Sequence, residues 1–547
     1  MKAFSNHSRS PQIANLFTFL LLILAVPLTG FRSQSQYELR LQTAGKIIYA
    51  SPGDDLSTKA NSLSPGDTLI LHDGLYTNGQ LHADGIHGRQ TTPITIQAEH
   101  DGKAIIDGAG SASPVIEVNN SSYVIIDGLV ARNAGPGEDV VNVSGQSDHV
   151  TIRRVTAYNA GSGNAHVFDV AFGPTNVLIE DCVGWGQGRY IFLAYHSSNV
   201  IFRRTWARWT TQSNFSPAPR ACYGIYGSSN ITLENPICIH DIPDQPSSDY
   251  FTAIWITTDG PQEDNAKILG AMFLDNWEGI WVNGSSGNNT QVIDSFFDHT
   301  RQQGSFNTTT NHGDAIMWGT NNGSGGGVDS STFVNNEVGF SKQTSQNPTL
   351  TNTLFVNNDT AIVGNPTHSF LDFFGNGSIG TSIGTTDKRV DPGYNVAKYG
   401  TGAYLFVPPN SPLKGAGLGG SDIGANIIYK YQNGVLTNQP LWPWPMEDRI
   451  KTETGMSVTW ESGGGFWKTL DGVYPKRVPL TPSASSVTTP LSTVSTLSSA
   501  TPPSSIVSTP SSGNAERLGW FLLGLIVFLL LLLLFLRQRL KKKDRNK

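Results

Sequence analysis

Between positions 182 and 233 the chain carries no Asp or Glu, yet it holds Arg189, Arg203, Arg204, Arg208 and Arg220, together with His196 and many aromatic residues. The whole chain has 37 basic and 43 acidic residues and a net charge of −6, so this stretch is a local positive patch. Guanidinium groups grip carboxylates or sulfates bidentately, and aromatic faces stack on sugar rings. The pattern fits an acidic polysaccharide, with Arg132, Tyr158, Trp185 and Arg208 as an outward column and Trp206 exposed beside it. A plain structural reading stays open: Trp185 and Trp206 packed beneath the long loops 210–221 and 242–251.

Removing the proton beside a uronate carboxylate requires that the carboxylate be neutralised and that a base stand nearby. Lys267, His240, Tyr223 and Arg220 are the candidates, and Lys267 is expected to face outward on the coil after His240. Asp241, Asp244 and Asp249 cluster in one loop, where their oxygens would suit calcium; a solvated acidic loop is the alternative. His299 with Arg301, and His312 with Asp314, form a second cluster farther along.

Such residues need a scaffold, and the sequence repeats. A short phrase, two polar residues and then V-x-I or its equivalent, starts at Ser122, Asp148, Thr175, Ser198 and Ser229, with spacings of 26, 27, 23 and 31 residues. Each copy reads as a short alternating strand closed by turn residues, with no helical period between copies. Strands recurring at this interval suit a parallel β-helix whose coils stack about 4.8 Å apart, and a dozen coils would make a rod about 55 Å long. Phe333-Val334-Asn335-Asn336 and Phe355-Val356-Asn357-Asn358 read as weaker later copies.

Stacked coils put equal offsets in columns. Leu129, Val155, Cys182, Thr205 and Pro236 form one expected inward column, and Ala131, Ala157, Gly184, Ala207 and Cys238 the next. An outward column reads Asp127, Arg153, Glu180, Arg203, Glu234, alternating in sign, which makes Arg153 and Arg203 structural. Cys182 and Cys238 fall on different columns two coils apart, too far for a disulfide; Cys222, placed in a loop, keeps a bond open.

Residues 16–28 are apolar and follow Lys2 and Arg9, so residues 1–36 read as an export signal or an N-terminal anchor. Residues 518–536 lack charge and, at about 1.5 Å per residue, match the roughly 30 Å hydrocarbon core of a bilayer. The basic tail 537–547 follows, which orients the body outside the cell membrane and the C-terminus in the cytosol. Residues 478–515 hold no charge and are rich in Ser, Thr and Pro, a stalk. The body before the tail carries a charge of −12, a poor match to nucleic acid.

The run SPGDTLILHDGLY at 64–76, then Pro93-Ile94-Thr95-Ile96 and Ala104-Ile105-Ile106-Asp107-Gly108, resembles the entry segment of right-handed parallel β-helix proteins of the pectin-lyase-like superfamily. It is especially similar to enzymes akin to chondroitinase B and alginate lyase, while residues 411–417 and 422–425 look like the exit of such a rod. The resemblance implies polysaccharide lyases with a Lys and Arg pair on adjacent coils and often a calcium ion; it gives no definite pair here. The expectation is an all-β, right-handed parallel β-helix over 37–430, an aromatic-rich cap over the last coil at 431–477, and a transmembrane α-helix at 516–536. This tethered monomer would bind an acidic polysaccharide and cleave it by β-elimination, a non-catalytic adhesin or carbohydrate-binding rod being the alternative. Glycoside hydrolysis would require two carboxylates about 5 to 10 Å apart on the groove.

Overall fold

The computed structural model describes residues 45–454, apart from 210–216, 218, 241–250, 258–264, 284–288, 301–312, 320–324 and 397–399. Among the described residues the chain winds through three parallel sheets, A of thirteen strands, B of twelve and C of eleven. One coil runs Ser122–Asp127 in A, Val130–Ala134 in B and Val141–Ser144 in C, before Asp148–Arg153 re-enters A. This is the parallel β-helix that the repeat predicted.

The phrase is the sheet A strand. Val124 stacks on Val150 and Ile126 on Ile152, then Val177 on Val200 and Ile179 on Phe202, and all of these side chains are buried. The residue before each alternating pair turns the chain: Tyr123, His149, Asn176, Asn199 and Asn230 have φ between 52° and 56°. That left-handed conformation favours asparagine, whose amides then bond up the stack, Asn199 to Asn176 at 3.2 Å and Asn230 to Asn199 at 3.1 Å. A second left-handed residue makes each corner from A to B: Gly128, Arg154, Asp181, Arg204 and Asn235. Because this corner is short and constant, the columns carry into sheet B, and Ala131, Ala157, Gly184, Ala207 and Cys238 register one above another inside the rod.

Three expectations change. Phe333 and Phe355 belong to sheet B rather than A; they stack with Phe297 and Phe373, centroids 4.8 to 5.6 Å apart, and are followed by an asparagine ladder of buried Asn336 and Asn358 and half-buried Asn376. Cys222 lies in the strand Arg220–Tyr226, not in a loop, and is disulfide-bonded to Cys238, while Cys182 is free and buried. The described part of the 431–477 piece does not cap the last coil. The coils end at the strand Asp372–Phe374, and the chain returns along the A–B corner as a strap.

The strap can be followed bond by bond toward the N-terminus. The Leu418 amide donates to Asn352, Ala425 to Thr332, Asn426 to Asp294, Tyr431 to Asn235 and Gly434 to Glu234. A hairpin of Tyr429–Gln432 with Val435–Pro440 and a helix α1 (Glu447–Thr454) complete it, and Arg449 of α1 donates to the carbonyls of Leu129 and Arg154 at 2.6 and 2.7 Å. No helix among the described residues is long and apolar enough to cross a membrane; 516–536 and 1–36 lie outside them.

Candidate functional site

Arg132, Tyr158, Trp185 and Arg208 do form one column on sheet B, with Asp107 below Arg132. Their groups are engaged with one another. Arg132 Nε donates to Asp107 at 2.7 Å and its Nη1 to the Tyr158 hydroxyl at 2.9 Å, Tyr158 stacks on Trp185 at 4.3 Å, and Arg208 reaches the Thr454 carbonyl at the end of α1. Trp206 is fully buried, contrary to its expected exposure. His196 sits at the corner from C to A, stacked on Tyr195, away from that column. The five arginines of the patch therefore disperse. Arg203 and Arg204 are buried at the A–B corner against Glu180, Asp181 and Glu234.

The four residues proposed for proton transfer are not brought together. Tyr223 lies in the core, its hydroxyl donating toward the carbonyls of Thr205 and Ile237, and burial holds that phenol protonated. His240 ends a sheet B strand, buried between Phe251 at 4.2 Å and Trp277 at 5.4 Å, and burial drives its pKa down to about 3. Arg220 is buried at the start of a sheet C strand. Lys267 starts a sheet A strand and lines a shallow depression of about 440 Å³ with Arg203 and Asn433. Asp241, Asp244 and Asp249 lie outside the described residues.

The outer face of sheet C holds a different constellation. Asp139 and His166 each stand three residues before Asn142 and Asp169, which pair across adjacent strands. In both coils two consecutive apolar residues turn inward between them, Val140 with Val141 and Val167 with Phe168, all buried, so the polar pair emerges together on the outside. These residues line a cavity of about 270 Å³ with Arg189, Tyr190, Tyr195 and Tyr226. Tyr190 and Tyr226 share a hydroxyl–hydroxyl bond of 2.6 Å. His166 stacks on Tyr190 at 5.3 Å, and the Arg189 guanidinium lies 5.0 Å from the centre of the Tyr190 ring.

Burial dominates the electrostatics. It raises Asp139 to about 6, and burial with the neighbouring Asp139 carboxylate pushes Asp169 well above the usual range. Burial and then Arg189 push His166 down to about 3, so its imidazole is neutral. Farther along the same face come Leu193, Gly224, Trp255 and Trp281, the two indoles edge to face at 4.6 Å. A Cβ on Gly224 would lie 2.7 Å from Leu193 and 3.1 Å from the Tyr190 ring, so glycine lets those side chains lie over the sheet. Buried Glu278 and Asp314 follow, with Asp314 raised to about 7 by burial.

The sequence reading missed Asp139, His166, Asp169 and Tyr190. Connections from B to C vary in length, so columns counted from sheet A lose register there; the usable signal was the repeated spacing of Asp139 to Asn142 and His166 to Asp169.

Residues 51–164 match the family model described as chondroitinase B. Solved structures similar in fold include a pectate lyase, 14% identical, covering 70% of this chain and 96% of the other with a TM-score of 0.43. An alginate lyase from Paenibacillus sp. is 15% identical over 59% of this chain and 97% of its own, with a TM-score of 0.35. A lacto-N-biosidase from Eubacterium ramulus is 12% identical over 69% and 72%, with a TM-score of 0.40. No curated protein matches the chain. The three-sheet coil makes this a parallel β-helix, and the family match covers its N-terminal coils.

Proposed function

We propose that the protein binds an acidic polysaccharide along the outer face of sheet C and cleaves it by β-elimination. The observation that carries this reading is the cavity where Arg189, the Tyr190–Tyr226 hydroxyl pair and the Asp139–His166–Asp169 cluster converge beside Trp255 and Trp281. In it, Arg189 is the group suited to a uronate carboxylate, and the rings supply stacking faces for sugars on either side. The three ligand atoms of Asp139, His166 and Asp169 lie within 4.8 Å of one another.

The membrane helix and stalk expected from the sequence at 516–536 and 478–515 would hold the body outside the cell. The Cys222–Cys238 bond supports an oxidising compartment. Incubation with alginate, pectate and chondroitin, followed by ultraviolet absorbance of the unsaturated uronate, tests the reaction. Retention of a polysaccharide with no absorbance rise would leave a binding rod, and neither retention nor product from any of the three would sink the reading.

A further inference from the structure

We propose that Asp139, His166 and Asp169 bind one divalent transition-metal ion of the zinc class, with the Asn142 side-chain oxygen beside them. The three offer a carboxylate, an imidazole and a second carboxylate, all within 4.8 Å. Buried polar atoms in folded proteins are nearly always partnered. Here His166 Nδ1, Asp169 Oδ1 and Asn142 Oδ1 are all buried with no hydrogen-bond partner in the protein, and the His166 and Asp169 side chains are only 4% and 5% exposed. All three residues line the same cavity.

The remaining bonds hold the cluster in shape. The His166 amide donates to Asp139 Oδ1 at 2.7 Å, and Asn142 Nδ2 donates to Asp139 Oδ2 at 2.9 Å, an arrangement that orients a ligand carboxylate from behind. The Asn142 amide nitrogen is thereby turned toward Asp139, which leaves its oxygen for another partner. Two adjacent buried carboxylates repel when both are ionised, and a dication removes that cost. Arg189, on the same cavity, opposes a cation. Its head group is drawn aside by Asn164 at 2.5 Å and by the Pro219 carbonyl at 3.0 Å.

The donor set selects the ion. An imidazole with two carboxylates suits zinc and its first-row neighbours, whereas calcium takes six to eight oxygens. This ion is therefore distinct from the calcium considered for the loop holding Asp241, Asp244 and Asp249, and it stands whether or not the polysaccharide reading does.

The test uses the full chain freed of metal by chelation. Zinc titrated by calorimetry should bind at one equivalent in the micromolar range or tighter and raise the melting temperature, and cobalt(II) should give visible ligand-field bands. His166→Asn and Asp169→Asn should each weaken zinc by about tenfold or more, with Asp73→Asn, in a separate exposed cluster, as the unaffected control. The cobalt spectrum of the Asp73→Asn variant, whose other cluster is disabled, decides the matter even if the variants at 166 and 169 fail to fold. Absence of zinc uptake and of cobalt bands, unchanged affinity in both variants, or equal affinity for calcium at this site would overturn the proposal.

Discussion

Arg203 Nε donates to Glu234 Oε2 at 2.5 Å from one coil to the next, and both side chains are almost fully withdrawn from water. Arg203 also reaches Glu180 at 3.1 Å and Asn433 of the strap at 2.6 Å, so the alternating charge column Asp127, Arg153, Glu180, Arg203, Glu234 is real and its last members are sealed by the returning chain. Removing one partner strands a buried charge. Glu234→Ala is expected to cost about 3 to 5 kcal/mol, whereas replacing both Arg203 and Glu234 with apolar residues should cost far less. Urea denaturation of the single and double variants checks this; equal losses would show that burial of the pair is not what matters.

The strap should be separable from the rod. Arg449 donates to the carbonyls of Leu129, which also accepts the Thr156 amide, and of Arg154, and pairs with Glu453 at 2.6 Å. Arg449→Ala is expected to cost about 1 to 3 kcal/mol. Hydrogen exchange should quicken in 429–454 and at the A–B corner while the sheet C strands keep their protection. Uniform acceleration along the rod would contradict this account.

How much of this was legible follows from where the spacing is constant. Sheet A carries one phrase per coil, and a single left-handed residue such as Arg154 or Asp181 makes each corner to sheet B, so counting from Val150 or Val177 lands on Tyr158 and Trp185 correctly. The corner from B to C has no fixed length: six residues separate Ala134 from Val141 and ten separate Trp209 from Arg220. Register is lost there, and with it the Asp139–His166–Asp169 cluster and the strand containing Cys222. The sealing of Arg203 and Glu234 depends on Asn433 and Gly434, about two hundred residues later in the chain, which no local pattern could reveal.

The Cys222–Cys238 bond closes a short loop, with a sequence separation of 16. Loop-closure entropy puts its contribution at about 3 kcal/mol. The double replacement by alanine should lose that amount in a reversible unfolding measurement. Cys182 is fully buried, and burial raises its thiol further from ionisation. It should therefore stay unlabelled by maleimide in the folded chain; rapid labelling would mean that the coil around it opens.

Stability should peak on the acid side of neutrality. Burial raises Asp294 and Asp372 to about 6 and Asp314 to about 7, above the ordinary 3.8. These carboxyls, with Asp139 and Asp169 raised likewise, then bind more protons in the folded chain than in the unfolded one between roughly pH 4 and 7. They outnumber His166 and His240, which burial drives down to about 3 and which act oppositely below about pH 6.5. Stability rises as pH falls through that window, by up to about 3 kcal/mol for each carboxyl shifted by two units. Below it the sign reverses. Burial pushes Glu180 up, but Arg204 and Arg203 outweigh it and hold that carboxylate low, so its pairing is lost as it protonates. The melting temperature should be highest near pH 5, and Asp294→Asn should flatten the slope above pH 5; a monotonic rise to pH 8 would contradict the assignment.

The proposed polysaccharide face makes the last prediction. Arg189 is half-buried, held by Asn164 and Pro219 at the cavity edge, and faces Tyr190 rather than an acid. Arg189→Ala removes a cation that no carboxylate among the described residues neutralises within hydrogen-bonding reach, so the fold should lose little while a uronate polymer loses about tenfold or more in affinity. Trp281→Ala acts differently, removing the half-buried ring that rests edge to face on buried Trp255, a stacking face of about 1 kcal/mol, and should weaken neutral and acidic oligosaccharides alike. Affinity electrophoresis against pectate and an uncharged glucan separates the two effects. If Arg189→Ala leaves pectate retention unchanged, or if Arg208→Ala on sheet B abolishes it instead, the binding face is not sheet C.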